Sequence, residues 1–96
     1  MAARVPRTIR FAVEGPIARD DLPGLYARIC GLLERSRPQL AWCNVGGVAP
    51  DAVTVEALAR LQLAARRYLC QVRLRHASPE LLDLVAFMGL EDVLPE

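Results

Sequence analysis

Apolar residues recur along this chain at two different spacings, and each spacing predicts one kind of element. Partial alternation of apolar and polar residues over Thr8–Glu14 predicts a first strand, which Gly15-Pro16 ends. Apolar residues then recur at three- and four-residue intervals over Leu22–Leu33, which predicts a helix with one buried face. Asp20-Asp21 offers an N-cap for this helix, and Ser36-Arg37-Pro38 stops it.

The middle of the chain predicts a second strand, a loop and a second helix. Gln39–Val45 is a nearly continuous apolar run, typical of a central strand that is buried on both faces. A loop over Gly46–Pro50 follows it. The next helix is predicted from about Thr54 to Leu69.

The last third of the chain predicts one more strand and one more helix. Gln71–His76 alternates cleanly, which indicates a strand with one wet face. Ser78-Pro79-Glu80 is a strong helix start, and Gly89 is a good helix stop. We expect Leu90–Leu94 to add one more helical turn.

The alternation of strands and helices predicts the fold class. Parallel strands need crossover connections, so the order points to an α/β fold. We expect a mixed, mostly parallel sheet of about four strands with helices packed against it. The 96 residues make one domain, predicted over residues 8–96 after an N-terminal tail of residues 1–7.

Composition narrows the function classes. The net charge of +1 gives no argument for binding nucleic acid or an anionic membrane. The three cysteines, Cys30, Cys43 and Cys70, are isolated, so we expect buried free thiols rather than a zinc site or a disulfide framework. Met1–Arg7 has no apolar run typical of a signal peptide, and the longest uncharged stretch is too short to span a bilayer. We therefore expect a cytoplasmic protein.

The stretch Cys43–Leu58 carries the most specific motif of the chain. It resembles the centre of a STAS domain, the small module of anti-sigma-factor antagonists. In that family a strand leads into an Asp-Ser-Ser/Thr-Gly-Leu loop whose first Ser is phosphorylated. Here Asp51 matches the Asp, Ala52 stands at the acceptor position, and Thr54 replaces the Gly. An alanine has no atom to phosphorylate, so the usual switch is excluded at Ala52.

Three other segments resemble the same family, over residues 8 to 94 in all. They are Gly15-Pro16-Ile17, Leu74–Leu81 and Met88–Leu94. The family usually has one strand before the first strand predicted here, and only Met1–Arg7 precedes Thr8. A missing strand would leave a sheet edge open, and a homodimer formed through that edge is one open alternative.

The resemblance implies a non-enzymatic regulator that binds a protein partner. By analogy the partner is an anti-sigma factor or a related kinase-like protein, bound through the 46–54 loop and the following helix. The predicted partner-binding residues are Gly46, Gly47, Asp51, Ala52, Thr54 and Glu56. Two alternatives stay open: a small structural subunit of an ABC lipid-transport complex, which contacts an ATPase, and a module that binds a nucleotide or other small ligand.

Other candidate chemistry has simple structural explanations. Thr54 is either a displaced phosphoacceptor or, with Asp51, a cap of the second helix. His76 is the only histidine, and Ser78, its nearest hydroxyl partner, is explained as a helix cap. We therefore expect no catalytic residue, no metal and no cofactor.

Overall fold

The computed structural model describes residues 7–96, and strands and helices alternate through this part of the chain as predicted. The elements are β1 (Thr8–Gly15), α1 (Leu22–Ser36), β2 (Leu40–Val48), α2 (Ala52–Arg66), β3 (Gln71–Arg75) and α3 (Pro79–Phe87), with a 3₁₀ turn at Arg19–Asp21 before α1. The predicted α/β class is therefore confirmed.

The sheet has β2 at its centre, with β1 and β3 parallel to it on either side. Residues 7–96 thus contribute three strands, where about four were expected. The predicted tail falls mainly on Met1–Pro6, which lie outside the described residues. In one row across the sheet Arg10 lies beside Trp42, and Trp42 beside Arg73.

One face of the sheet carries the core. Right-handed crossovers between neighbouring strands, taken in the order β1-β2-β3, place α1 and α2 on the same face. The buried strand side chains lie at alternate positions, and the core is completed from the helices. The buried apolar strand residues are Val13, Ala41, Cys43, Val45, Val72 and Leu74.

The prediction that β2 is buried on both faces was wrong. Trp42 is half-buried and Asn44 is exposed, because no helix in residues 7–96 covers that side of the sheet. The apolar run of β2 therefore consists of the buried residues Ala41, Cys43 and Val45 on one face and the half-buried Trp42 on the other. We call the uncovered side the open face.

Several helix ends follow the predicted signals, but Asp21 precedes α1 without a side-chain capping hydrogen bond, and its carboxylate accepts from the N–H of Ala18 instead. Arg37 ends α1 in a left-handed conformation, with φ of 46°, and its N–H donates to the carbonyl of Leu33. At α3 the Ser78 hydroxyl accepts from the N–H of Leu81 at 3.2 Å. Gly89 follows α3 with φ of +73°, a conformation that glycine adopts without steric cost.

The last predicted turn is also present. The N–H of Leu94 donates to the carbonyl of Leu90 at 2.9 Å, which closes a single helical turn. The Leu94 side chain is buried in the core. This turn brings the end of the described chain back against β3.

The helix α2 begins and ends earlier than predicted. It spans Ala52–Arg66, whereas the apolar spacing indicated 54–69. Its predicted inner side chains Leu58, Leu61 and Ala65 are buried, and Tyr68 is half-buried in the turn that follows. The early start reflects a cap at Asp51.

The outer edge of β3 is closed by groups from elsewhere in the chain. The buried side chain of Gln62 accepts from the N–H of Val72 at 2.8 Å and donates to the carbonyl of Val72 at 2.7 Å. The same Gln62 amide also donates to the carbonyl of Val93 at 2.8 Å. The N–H of Leu74 donates to the carbonyl of Pro95 at 2.8 Å. Gln62 therefore substitutes for part of a neighbouring strand.

Candidate functional site

The predicted partner-binding segment lies where β2 passes into α2. Gly46 and Gly47 belong to β2, which continues to Val48, so the predicted loop over 46–50 is wrong for its first three residues. The true connection is Ala49–Asp51. The two glycines were interpreted as a loop because a β-bulge can be recognised only from the pairing with the neighbouring strand.

A bulge explains the two glycines. Ala12 of β1 pairs with Asn44, but Glu14 pairs with Gly47, so β2 has one extra residue here. The Asn44 side chain accepts from the N–H of Gly46 at 2.9 Å and holds the bulge. A Cβ added at Gly46 would lie 3.2 Å from the Asn44 oxygen and 3.4 Å from Cβ of His76. A larger residue at position 46 would therefore be tightly packed against Asn44 and His76.

Asp51 fixes the start of α2. Its carboxylate accepts from the N–H of Thr54 at 2.8 Å, and its carbonyl accepts from Val55. The carboxylate also carries negative charge at the N-terminal end of the helix dipole, which is a stabilising arrangement. The interpretation of Asp51 as a helix cap is confirmed.

Thr54 lies inside the core rather than on the surface. Its side chain is 0% exposed, and its hydroxyl has no hydrogen-bond partner among residues 7–96. A kinase therefore cannot reach this hydroxyl unless the first turn of α2 opens. Phosphorylation of Thr54 stays a prediction, and the closed conformation does not favour it.

Ala52 and Glu56 are accessible positions within the first turns of α2. Ala52 is exposed at the first position of α2. Glu56, one turn later, is an ion-pair partner of Arg19 at 3.5 Å and of Arg60 at 3.0 Å. Such exposed pairs stabilise the fold little, but they hold Glu56 in place. Of the predicted partner-binding residues, Gly46, Gly47, Asp51 and Ala52 are exposed, Glu56 is half-exposed and Thr54 is buried.

A basic cleft adjoins this segment on the open face, and sequence reasoning missed it. The cleft has a volume of about 310 Å³ and is lined by Arg10, Phe11, Ala12, Trp42, Asn44, Arg75 and His76. The Arg75 guanidinium lies 5.1 Å from the centre of the Trp42 ring, a cation–π arrangement that holds the guanidinium against the sheet.

The signal for the cleft was present in the strand alternation. Arg73 and Arg75 occupy the wet positions of β3, and Arg10 occupies one in β1. The parallel register that brings them around Trp42 is not readable from a single strand. Net charge conceals this cluster, because acidic residues elsewhere cancel it.

The remaining candidate groups show no catalytic arrangement. The Ser78 hydroxyl caps α3, as interpreted, and His76 is exposed in a left-handed conformation with φ of 60°. Cys43 and Cys70 are buried free thiols, whereas Cys30 is only half-buried. Burial raises the pKa of the Cys43 thiol to about 12, so this thiol stays protonated and unreactive at neutral pH.

Residues 7–96 contain neither a metal-binding cluster nor a membrane-spanning helix. Among residues 7–96 no cluster of three or more His, Cys, Asp or Glu side chains is placed to hold a metal ion. No helix in the same range is long and apolar enough to cross a membrane.

Comparison with known proteins adds no support for the resemblance to STAS domains, which therefore depends on the short motifs alone. No protein-family model matches this sequence, and no curated protein matches it significantly.

Proposed function

We propose that this chain is a non-enzymatic, STAS-type regulatory module that binds a protein partner. The binding surface consists of the β2–α2 connection and the exposed start of α2, and the partner is an anti-sigma factor or a related kinase-like protein. The observation that supports the proposal is that Ala52 is exposed at the start of α2, where the Asp51 cap holds the backbone in place. A rigid, exposed segment at the carboxyl end of a sheet is a common place for recognition.

The chemistry of the neighbouring surface suggests the charge of the partner. Arg75 and His76 lie in the basic cleft next to Asn44, which in turn holds Gly46. A partner that covers the loop and reaches the cleft would meet several positive charges there. We therefore expect its contact surface to be acidic, which raises the rate of association and favours the correct partner.

The module works without the usual phosphorylation switch. Ala52 offers no acceptor, and the hydroxyl of Thr54 is buried. Binding is therefore constitutive and set by the amount of each protein.

A matched pair of substitutions tests the proposal. Ala52→Arg adds a long charged side chain to the proposed surface, and Ala86→Arg makes the same change at an exposed position of α3. Each tagged variant is used to capture partners from its native host, and the captured proteins are identified by mass spectrometry. We expect wild type and Ala86→Arg to capture the same regulator, and Ala52→Arg to lose it.

The capture has two informative contrary outcomes. Equal capture by both variants would show that the partner binds elsewhere. Capture of an ABC ATPase through the same surface would identify the structural-subunit alternative instead of the regulator.

A further inference from the structure

The outer edge of β1 presents backbone groups that no strand in residues 7–96 pairs with. The carbonyls of Arg7 and Gly15 accept from the β2 side, so the odd-numbered residues of β1 point inward. Arg10, Ala12 and Glu14 therefore direct their N–H and C=O groups outward. Among them, the carbonyl of Ala12 has one long contact, 3.4 Å from the Arg28 guanidinium.

The β1 strand remains regular along this edge. The bulge opposite it places the extra residue in β2, not in β1. The edge of β1 from Arg10 to Glu14 has no bulge of its own and is a template for another strand.

We propose that this edge pairs with β1 of a second copy of the chain, antiparallel, with Ala12 opposite Ala12. This register places Arg10 opposite Glu14 and Ala12 opposite Ala12, so the outward N–H and C=O groups of these residues meet as hydrogen-bonded pairs. A two-fold axis then passes between the two Ala12 residues, which is the symmetry of most protein dimers. The two sheets join into one sheet of six strands.

The charges along the edge fit this register. Arg10 of one copy lies opposite Glu14 of the other, and the two-fold axis repeats the pair. Both side chains are on the open face, and both are exposed in the single chain. Neither takes part in an ion pair within the described range. Opposite charges directly across an antiparallel pair are stabilising, whereas like charges are destabilising.

The opposite face of the edge is complementary as well. In the same register Phe11 of one copy lies beside Val13 of the other. A groove of about 510 Å³ runs between the β1 edge and α1, and Val13, Ile17 and Leu25 contribute to its lining. The position of a Cβ at Gly24, also in the lining, has no neighbour within 4 Å. The groove thus has room for the partly buried Phe11 ring of a second copy.

Arg28 opposes this arrangement to a small degree. It lies near the proposed axis, so the two copies bring two guanidinium groups close together. Asp21 lines the same groove and offsets part of that repulsion. The Ala12 carbonyl has two lone pairs, so it accepts a strand hydrogen bond without losing Arg28 altogether.

The dimer is weak, and it is tested separately from the proposed partner, although Arg10 also lines the basic cleft. One strand pair buries little area compared with stable protein interfaces, so association depends on concentration. Ala52 is not part of the edge. A failure to capture a regulator therefore has no bearing on self-pairing, and a failure to dimerise has none on capture.

Charge exchange provides the test. Sedimentation velocity is recorded for the wild type, Arg10→Glu and Glu14→Arg over a concentration series from low micromolar to millimolar. We expect wild type to dimerise and each variant to associate at least about tenfold more weakly, because each places like charges opposite each other twice. Circular dichroism checks that each variant is folded.

The decisive sample is an equimolar mixture of the two variants. In a mixed dimer the glutamate introduced at position 10 of one copy faces the arginine introduced at position 14 of the other. The unchanged Glu14 of the first copy likewise faces the unchanged Arg10 of the second. We expect the mixture to dimerise about as well as wild type. Wild type that stays monomeric at the highest concentration overturns the proposal, and so does a mixture that associates no better than the separate variants.

Discussion

The two edges of the sheet differ in how the chain treats their backbone. At β3 the outward groups of Val72 meet the Gln62 side chain, and the N–H of Leu74 meets Pro95. At β1 the outward carbonyl of Ala12 has only the long contact from Arg28. The difference shows that a sheet edge is closed by groups brought from distant parts of the chain, here the Gln62 side chain and the Pro95 carbonyl, and the described residues provide such groups mainly at β3.

The closed edge at β3 depends on Gln62, whose buried amide group uses its hydrogen-bonding capacity there. A buried amide is costly unless its donors and acceptor are all used. Gln62 is 3% exposed, and its amide is hydrogen-bonded to the backbone of Val72 and Val93. It ties β3 to the end of the described chain. No comparable buried polar side chain lies along β1 in residues 7–96.

Proline substitutions should show the largest difference in stability between a paired strand and the open edge. Ala41→Pro removes an N–H from the central strand, which is paired on both sides, and we expect a loss of about 3 kcal/mol or more. Ala12→Pro removes an outward N–H at the open edge, and we expect a loss of about 1 kcal/mol or less. Urea denaturation monitored by circular dichroism measures both.

The same proline pair also reports on self-pairing. Ala12→Pro should leave a folded monomer, because the removed N–H is needed only by a second copy. Equal destabilisation by the two prolines would show that the outer side of β1 is already engaged, and the contrast between the edges would fail.

Gln62→Met tests the closed edge with a side chain of similar length. The change leaves the N–H and C=O of Val72 and the C=O of Val93 without their partner. We expect the free energy of unfolding to fall by about 2–4 kcal/mol, since buried unsatisfied groups are costly. Gln71→Met is the control at an exposed position, with an expected change within about 0.5 kcal/mol. If Gln62→Met lost no more stability than Gln71→Met, water would be able to hydrogen-bond the backbone groups at the edge of β3, and the role of Gln62 would be contradicted.

Much of the fold could be predicted because its signals are local. The Ser78 cap, the Gly89 stop and the alternation of β3 each depend on neighbouring residues. The open face was missed because the buried or exposed state of Trp42 depends on where the helices cross. That placement follows from the strand order, which no single segment contains.

The candidate site likewise has features that local sequence predicts and features that depend on distant contacts. The capping role of Asp51 was readable from its place before an apolar helix. The burial of Thr54 was not, because the helix begins two residues earlier than its apolar spacing suggests. The bulge at Gly46 and the edge function of Gln62 are long-range effects, so glycine and glutamine gave no local sign of them.

Residue-resolved amide hydrogen exchange, measured by NMR at low and high protein concentration, tests the contrast between the edges most directly. The account predicts slow exchange at Val72 and Leu74 at every concentration, because their N–H groups are bonded within the chain. It predicts fast exchange at Ala12 and Glu14 in dilute protein and marked slowing in concentrated protein, as a second copy pairs with β1. Exchange at Ala12 that is slow in dilute protein, or fast at every concentration, would contradict it.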